Sequence, residues 1–534
     1  MNVFALLLLT AAAGYGVARW LRLPSLPVLI AAGMALTIGG FVPAGLLPGE
    51  AADREDGAAM MVLELGLIFL VFSSGVELNP RRFAKRGATV SWVGALQFGV
   101  SAVIGFATAR WTGFGNVEAT YIGLGLAASS TLVVLRQLRM RHAMFEPFGR
   151  LVSGVLLLQD AVLIAVIVVL YRLDSGISGM AVDLGLTMML GGAAWLAQKR
   201  IIPALVKRMK PDEESLLQWL MAVLFAFAGA AYWMGLPPVA GAFAAGFAFS
   251  AFPLNGLVRG QLSSLTEFFQ ALFFVALGVI VGIPDAAHWL TALGFSAIVV
   301  LLTPPLVAAL AEWRGMSARA SIESGLLLAQ TSEFSLLLGL GGVTLGHLSA
   351  DGFAILAMTC LITMTLTPFL GRESVAHALL PLHPFRKSRA AAAPPEGHVL
   401  VLGFGSAGMW TVKPLRARGH EVLVVDDDAV VCRELARLGV PVMRGDGSDK
   451  ETLDRAGANR AVLVIASMRR AGDALKVLEH VRDVPVVARV FEADEAEIIR
   501  AAGGIPVLNS EAAADTFMAW FLATDRISGS PRDK

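Results

Sequence analysis

From the N-terminus to about Gly371 the chain alternates long apolar runs with short polar connectors; after His398 the apolar runs shorten to a few residues between charged, helix-patterned stretches. A bilayer-crossing helix needs roughly 20 mostly apolar residues. Thirteen stretches qualify, centred near Ala12, Met34, Ile68, Ser101, Ala127, Leu163, Leu190, Phe225, Ala245, Phe273, Val300, Leu336 and Leu361. The short runs VLVLG, VLVVD, PVMRG, AVLVIAS and PVVARVF read as strands alternating with helices, the pattern of a doubly wound α/β sheet. The expectation is a multi-span α-helical membrane domain over 1–373, a linker over 386–397 (RKSRAAAAPPEG) and a Rossmann-like domain over 398–534.

Composition agrees with this division. The 534 residues are 56% hydrophobic and only 16% charged, with mean hydropathy +0.68; soluble domains carry about 25% charged residues. A net charge of +1 gives no reason to expect nucleic acid. Cys360 and Cys432, the two cysteines, lie in different domains, so no disulfide framework is implied.

Loop charges orient the spans. With the N-terminus outside, eighteen Lys and Arg residues fall on the cytoplasmic side: Arg19, Arg22, Arg81, Arg82, Lys85, Arg86, Arg136, Arg139, Arg141, Arg150, Lys199, Arg200, Lys207, Arg208, Lys210, Arg259, Arg314 and Arg319. Only Arg54, Arg110 and Arg172 fall outside. The first apolar run has no basic residue before it, which argues against a cleaved signal peptide. An odd number of spans then delivers the C-terminal domain to the cytoplasm.

Three short matches recur at an offset of about two hundred residues. Leu21–Gly33 resembles Met234–Gly246, Leu65–Leu78 resembles Ala271–Gly282 with Gly75 aligned to Gly278, and Ala128–Val133 resembles Ala329–Phe334. Each pair is seven spans apart, so the copies run in opposite directions across the membrane. Inverted repeats are a transporter signature, with the site near mid-membrane at the repeat interface. The third match carries polar clusters inside otherwise apolar spans: Ser129, Ser130 and Thr131 in one, Gln330, Thr331, Ser332 and Glu333 in the other. Broken helices, whose freed carbonyls and dipoles coordinate ions, fit this pattern; packing through hydroxyls is the plainer alternative.

Between them, Gln159 and Asp160 interrupt the apolar run Val155–Ile167. An aspartate near the centre of a spanning helix costs about 2.5–3.5 kcal/mol on insertion scales, so such residues default to function. The functional expectation is a carboxylate that binds a proton or a cation (Asp160 being the only metal ligand expected, for K+); the plainer one is an aspartate hydrogen-bonded between helices. Glu333 either joins the ion path or pairs with a basic neighbour such as Arg319. Glu64, Glu77, Glu267 and Glu323 lie nearer span ends and read as structural or interfacial.

In the C-terminal domain, Gly403, Gly405 and Gly408 form a complete G-x-G-x-x-G, with Phe404 and Ser406 between them, placed between a strand and a helical pattern. Asp426 ends the second strand about twenty residues on, where a ribose ligand belongs. A fold that keeps this shape and binds nothing is the alternative. No catalytic constellation and no substrate domain accompany the fold, so a regulatory nucleotide sensor fits better than an enzyme.

Together these residues resemble the Kef-type potassium:proton antiporters of the monovalent cation:proton antiporter family, over nearly the whole chain. LLLQDAV is similar to that family's Gln-Asp motif. SSTLVV, GAFAAGF, LFFVALG and QTSEF are similar to its other membrane signatures, and GFGSAG, VVDDD, RGDGSDKETLDRAGA and ARVFEADEAEIIRAAGG to its RCK/TrkA-N nucleotide domain. The resemblance implies potassium efflux by K+/H+ antiport, a homodimer with a moving core, elevator-type alternating access, and an adenine nucleotide (AMP or NAD(H)) held at Gly403, Gly405, Gly408 and Asp426. Asp446 matches an acidic position near that ligand. Further implications are a bacterial inner-membrane location among membrane lipid, and a place for a soluble ancillary subunit. Glutathione-gated members carry an acidic, His-containing segment where this chain has VRGQLSSLTEFF (Val258–Phe269), so such gating is not expected here. The rivals are Na+/H+ exchange, a potassium channel, for which no TVGYG-like filter exists, and a membrane-tethered oxidoreductase, for which no substrate pocket is legible.

Overall fold

The computed structural model describes residues 3–39, 57–78, 87–141, 143–144, 146–171, 176–209, 213–251, 254–281, 285–380, 396–404, 408–468 and 470–508. The chain separates into two compact units. One comprises Met1–Ala311 with Ser321–Leu379, the other Leu380–Lys534 together with the short segment Glu312–Ala320.

Among the described residues the first unit is built of helices, of which α13 and α14 reach into the Glu312–Ala320 segment: α1 (Val3–Leu21), α2 (Ser25–Ile38), α3 (Gly57–Glu77), α4 (Gly87–Trp111), α5 (Asn116–Ala127), α6 (Thr131–Met140), α7 (Pro147–Leu170), α8 (Gly176–Leu196), α9 (Ile202–Met209), α10 (Glu213–Trp233), α11 (Pro238–Ala248), α12 (Leu254–Val281), α13 (Ala286–Trp313), α14 (Ala318–Leu328), α15 (Glu333–Thr344), α16 (Ala350–Leu370) and α17 (Glu373–Leu379). A π-helical turn, Ala197–Ile201, joins α8 to α9. All thirteen predicted span centres fall on these helices. Among the described residues nine stretches are long and apolar enough to cross a membrane, and α2 and α11 are shorter apolar helices.

α2 and α11 are short for the same reason. Each starts immediately after an extended proline, Pro24 (φ −58°, ψ 139°) and Pro237 (φ −57°, ψ 135°). The residue ahead of a proline resists the helical conformation, and a proline cannot take an interior helical hydrogen bond, so neither helix extends back through it. These two helices are the two copies of the first sequence repeat, and their packing is repeated as well. α2 crosses α12 at Gly33 and Gly278: a Cβ on Gly33 would fall 2.0 Å from the Val275 carbonyl oxygen, and one on Gly278 would fall 2.1 Å from that of Ile30. α3 crosses α11 at Gly75 and Gly246 with equivalent clashes of 2.4 Å and 2.1 Å. Repeat-related glycines thus serve repeat-related crossings, as small residues do where helix backbones touch in membranes.

The second unit holds a six-stranded parallel sheet. In chain order the elements are β1 (Val399–Leu402), α18 (Gly408–Ala417), β2 (Val422–Asp426), α19 (Ala429–Arg437), β3 (Val442–Arg444), α20 (Lys450–Arg455), β4 (Leu463–Ala466), α21 (Ala471–His480), β5 (Val486–Val490), α22 (Ala493–Ala501) and β6 (Ile505–Leu508). The strand order is β3-β2-β1-β4-β5-β6, all pairs parallel. This is the Rossmann order, whose switch point between β1 and β4 opens a crevice at the carboxyl ends of the strands. β1 is buried on both faces, as its unbroken apolar sequence requires. β6 is an addition to the sequence expectation. Its core Ile-Pro-Val-Leu lies at the sheet edge with alternating exposure, so it lacks the buried apolar signature of the other strands.

Candidate functional site

Both polar clusters interrupt helices. α5 stops at Ala127, Ala128 and Ser130 are extended, and α6 begins at Thr131 with the Ser130 hydroxyl accepting from Val133 N (3.3 Å). Across the pseudo-symmetric position α14 stops at Leu328 and α15 begins at Glu333, with the Ser332 hydroxyl accepting from Phe334 N (3.1 Å). Hydroxyl residues favour this arrangement because they satisfy the amides that a new helix start leaves open.

The two breaks meet. Ser129 Oγ donates to Leu328 O at 2.8 Å, Gln330 Nε2 to Ser130 O at 3.4 Å, and Leu132 N to Glu333 Oε1 at 3.4 Å. Ser335 Oγ donates to Gly125 O at 2.5 Å. The amino ends of α6 and α15 therefore lie at one crossing, each contributing the partial positive charge of a helix start.

Asp160 lies on α7 beside this crossing, 1% exposed. Its Oδ2 accepts from Thr131 Oγ1 at 2.8 Å and from Ser74 Oγ at 3.4 Å. Among the described residues its Oδ1 is buried with no hydrogen-bond partner, and so is Oε2 of Glu333. Buried polar atoms are nearly always satisfied, so two orphaned carboxylate oxygens at one crossing point to groups that a proton or a cation completes. Gln159 fixes the neighbouring strand of chain: its Oε1 accepts from Ser129 N at 3.0 Å and its Nε2 donates to Gln97 Oε1. Gln97 Nε2 in turn donates to Ser101 Oγ (3.2 Å) and Ala127 O (3.1 Å). Thr331 is held from α16, where Thr363 Oγ1 accepts from Thr331 N at 3.2 Å.

The structure thus brings Ser129, Ser130, Thr131, Gln159, Asp160, Thr331, Ser332 and Glu333 into one crossing. Ser74 on α3, Gln97 and Ser101 on α4 and Thr363 on α16 join them without having been singled out in the sequence. Gln97 and Ser101 stand singly among apolar residues, Ser74 follows Ser73, and Thr363 lies in a run with Thr359, Thr365 and Thr367, patterns common in apolar helices that single out no site. Arg319 does not serve Glu333: its guanidinium belongs to the second unit, where it meets Asp446 and Asp473.

In that unit, the first glycine of the G-x-G-x-x-G, Gly403, turns with φ +78°, which L side chains rarely adopt. Asp426 ends β2 and receives Phe404 N (2.8 Å) on Oδ2 and Asp428 N (2.8 Å) on Oδ1. Both oxygens of this carboxylate are thus engaged by backbone amides at the carboxyl end of β2, the strand edge at which Rossmann-order sheets bind their ligands. Gly405 and Ser406 lie outside the described residues; Gly408 opens α18. Asp446, just past β3, accepts Ser448 N (2.9 Å) and Ser448 Oγ (2.8 Å) on Oδ1 and Arg319 Nη1 (3.2 Å) on Oδ2. Burial acts to raise the Asp446 carboxyl, but Arg319 and Ser448 outweigh it and hold it below the usual range. Asp427 behaves oppositely: burial, then the charges of Asp426 and Asp446, push it up to about 6. Burial and Asp426 push the Cys432 thiol up to about 11, which keeps it unreactive near neutrality.

Residues 5–372, more than half of the chain, match the sodium/hydrogen exchanger transmembrane family. The chain belongs to that family. Residues 399–510 of this exchanger match the TrkA-N domain, in agreement with the Rossmann strand order. Among curated relatives, the exchanger is 26% identical to the "Putative K(+) efflux antiporter KefB" of Alkalimonas amylolytica over 85% of this chain and 72% of that one. It is 26% identical to "K(+) efflux antiporter 1, chloroplastic" of Arabidopsis thaliana over 81% of this chain and 38% of that much longer one. It is 23% identical to the "Putative cation/proton antiporter YbaL" of Escherichia coli (strain K12), over 88% and 90% of the two chains.

Proposed function

We propose that this exchanger carries potassium out of the cell against protons, with Asp160 as the one carboxylate for which the two cations compete. The observation that carries the proposal is the half-satisfied carboxylate: one oxygen of Asp160 is held by Thr131 and Ser74, while the other is buried without a partner among the described residues, at the crossing of two broken helices. A single buried carboxylate cannot hold two cations at once, so binding one releases the other and the flows are coupled one to one. Gln159 holds the break through Ser129 without adding charge. Two of the relatives above are described as potassium efflux antiporters, which supports potassium as the substrate.

Alternating access is of the elevator type: the unit carrying α5–α7 and α14–α16 moves against a fixed, dimer-forming remainder, and the chain acts as a homodimer in a bacterial inner membrane with its N-terminus outside and its TrkA-N domain in the cytoplasm. The domain is a regulator. AMP or NAD(H) seated at the Gly403 turn, with its ribose on Asp426, shifts the balance of transporting states by binding one of them more tightly. When bound, the nucleotide supplies recognition only, and the protein performs no chemistry on it. Sodium in place of potassium is the second reading, favoured by the family's own designation as a sodium/hydrogen exchanger. Proton flux in proteoliposomes, with potassium and sodium added in turn and with and without nucleotide, tests both. Equal responses to the two cations would refute selectivity for potassium.

A further inference from the structure

The segment Glu312–Ala320, between α13 and α14, groups with the nucleotide domain, and its contacts there are specific. Arg319, 8% exposed, donates through Nη1 to Asp446 Oδ2 (3.2 Å), Ser448 Oγ (2.9 Å) and Asp473 Oδ1 (3.0 Å). Ser317 Oγ donates to Asp427 Oδ2 at 3.0 Å and accepts from Ala320 N at 3.3 Å. Arg444 Nη2 donates to the carbonyl oxygens of Gly315 and, at 3.1 Å, Met316. The anchoring residues Asp427, Arg444 and Asp446 sit at or just past the carboxyl ends of β2 and β3, the edge at which open α/β sheets bind their ligands. Asp427 is the next residue after Asp426, the ribose acceptor, and Asp446 faces the same ligand in the reading above.

We propose that the turn Gly315–Arg319 is a latch that competes with the nucleotide for this strand edge, and that Arg319 reports the nucleotide's presence to the helix it leads into. The proposal rests on the nucleotide-regulation reading and adds the element that transmits it. Arg319 is the second residue of α14, which runs without interruption to Leu328 and then into the break that holds Thr331, Ser332 and Glu333. A nucleotide drawing on Asp446 takes an acceptor from Arg319. A turn released from the strand edge frees the first turn of α14, so occupancy of the nucleotide site reaches the carboxylate crossing by covalent continuity. By linkage the effect is reciprocal: whatever frees the turn tightens nucleotide binding by the same factor.

The test uses the full chain in nanodiscs and proteoliposomes with AMP, then NADH, as probes. In the wild type, amide exchange of the peptide covering Glu312–Ala320 is expected to accelerate when AMP binds. Slowed or unchanged exchange at saturating AMP overturns the latch. Arg319→Gln and Asp473→Asn, which removes a latch anchor assigned no nucleotide contact, are both expected to bind AMP several-fold more tightly and to bring the ratio of potassium-driven flux with and without AMP to one. Unaltered AMP affinity in both variants also overturns it. If exchange accelerates but wild-type flux ignores AMP and NADH, the latch stands and the regulatory reading falls. If neither nucleotide binds the wild type, both fall.

Discussion

Thr131→Val removes the closest hydrogen bond to Asp160 while keeping side-chain size. In the wild type Thr131 Oγ1 lies 2.8 Å from Asp160 Oδ2, and the second donor, Ser74, lies at 3.4 Å. A hydrogen bond to a charged group contributes about 1.5–3 kcal/mol, and one to a neutral group about 0.5–1.5 kcal/mol. The threonine hydroxyl therefore favours the ionised carboxylate over the protonated one by roughly 1–1.5 kcal/mol. Only the ionised form accepts a cation, so at fixed pH the variant should show a five- to tenfold weaker apparent potassium affinity, at about 1.4 kcal/mol per factor of ten. Thr131→Ser, which keeps the donor, should stay near wild type, and Ser74→Ala should show a smaller shift. The assay is proton flux in proteoliposomes as a function of potassium concentration, at one pH and with matched protein incorporation. An unchanged apparent KM for potassium in a folded Thr131→Val variant would refute the assignment of Asp160 as the cation-binding carboxylate.

Gly33→Ala should lower the thermal midpoint in detergent, because its new methyl meets the Val275 carbonyl at 2.0 Å and must push α2 and α12 apart; overpacking of this kind costs about 1–3 kcal/mol, and the pseudo-symmetric Gly246→Ala should behave alike. Gln97→Leu strands the Gln159 amide that it now receives, so the membrane unit should lose about 1–3 kcal/mol of stability and potassium-driven flux should fall; a variant with wild-type stability would contradict the network. The nucleotide domain should titrate in two directions. Asp427, raised to about 6, holds its proton more tightly when folded, so its contribution is full below its unfolded value of about 3.9 and is lost as pH rises through about 6. Asp446 is lowered, so its contribution is present above that unfolded value and is lost as pH falls below it. Calorimetry of the full chain between pH 4 and 7 should therefore show the domain's transition falling with rising pH, and Asp427→Asn should flatten it.

Much of the fold was legible because its causes are periodic. Long apolar runs announce membrane helices, and the alternation of VLVLG, VLVVD and PVMRG with helical patterns announces a parallel sheet. The repeat was visible in short matches, and its physical meaning emerged in the structure: Gly33 and Gly246, and Gly75 and Gly278, occupy equivalent crossings. Asp160, Gln159 and both polar breaks stood out because each violates an apolar pattern at a cost. Ser74, Gln97, Ser101 and Thr363 violate the pattern cheaply, since a hydroxyl or amide in a helix can bond to its own backbone, and only tertiary placement separates them from packing residues. β6 escaped notice because an edge strand needs little apolar sequence. The pairing of Arg319 with Asp446 and Asp473, in place of the Glu333 partner weighed for it, was illegible for a different reason. The contact with Asp446 spans 127 residues of sequence, and nothing local to either residue encodes it.

The measurement that tests the account most directly is potassium-driven proton flux in proteoliposomes for the wild type and Asp160→Asn. The asparagine keeps the shape of the side chain and the hydrogen bond from Thr131 but cannot exchange a proton for a cation. The account predicts robust flux in the wild type and none above empty liposomes in the variant, with both proteins equally folded. Equal flux in the two would contradict it and return Asp160 to a packing role.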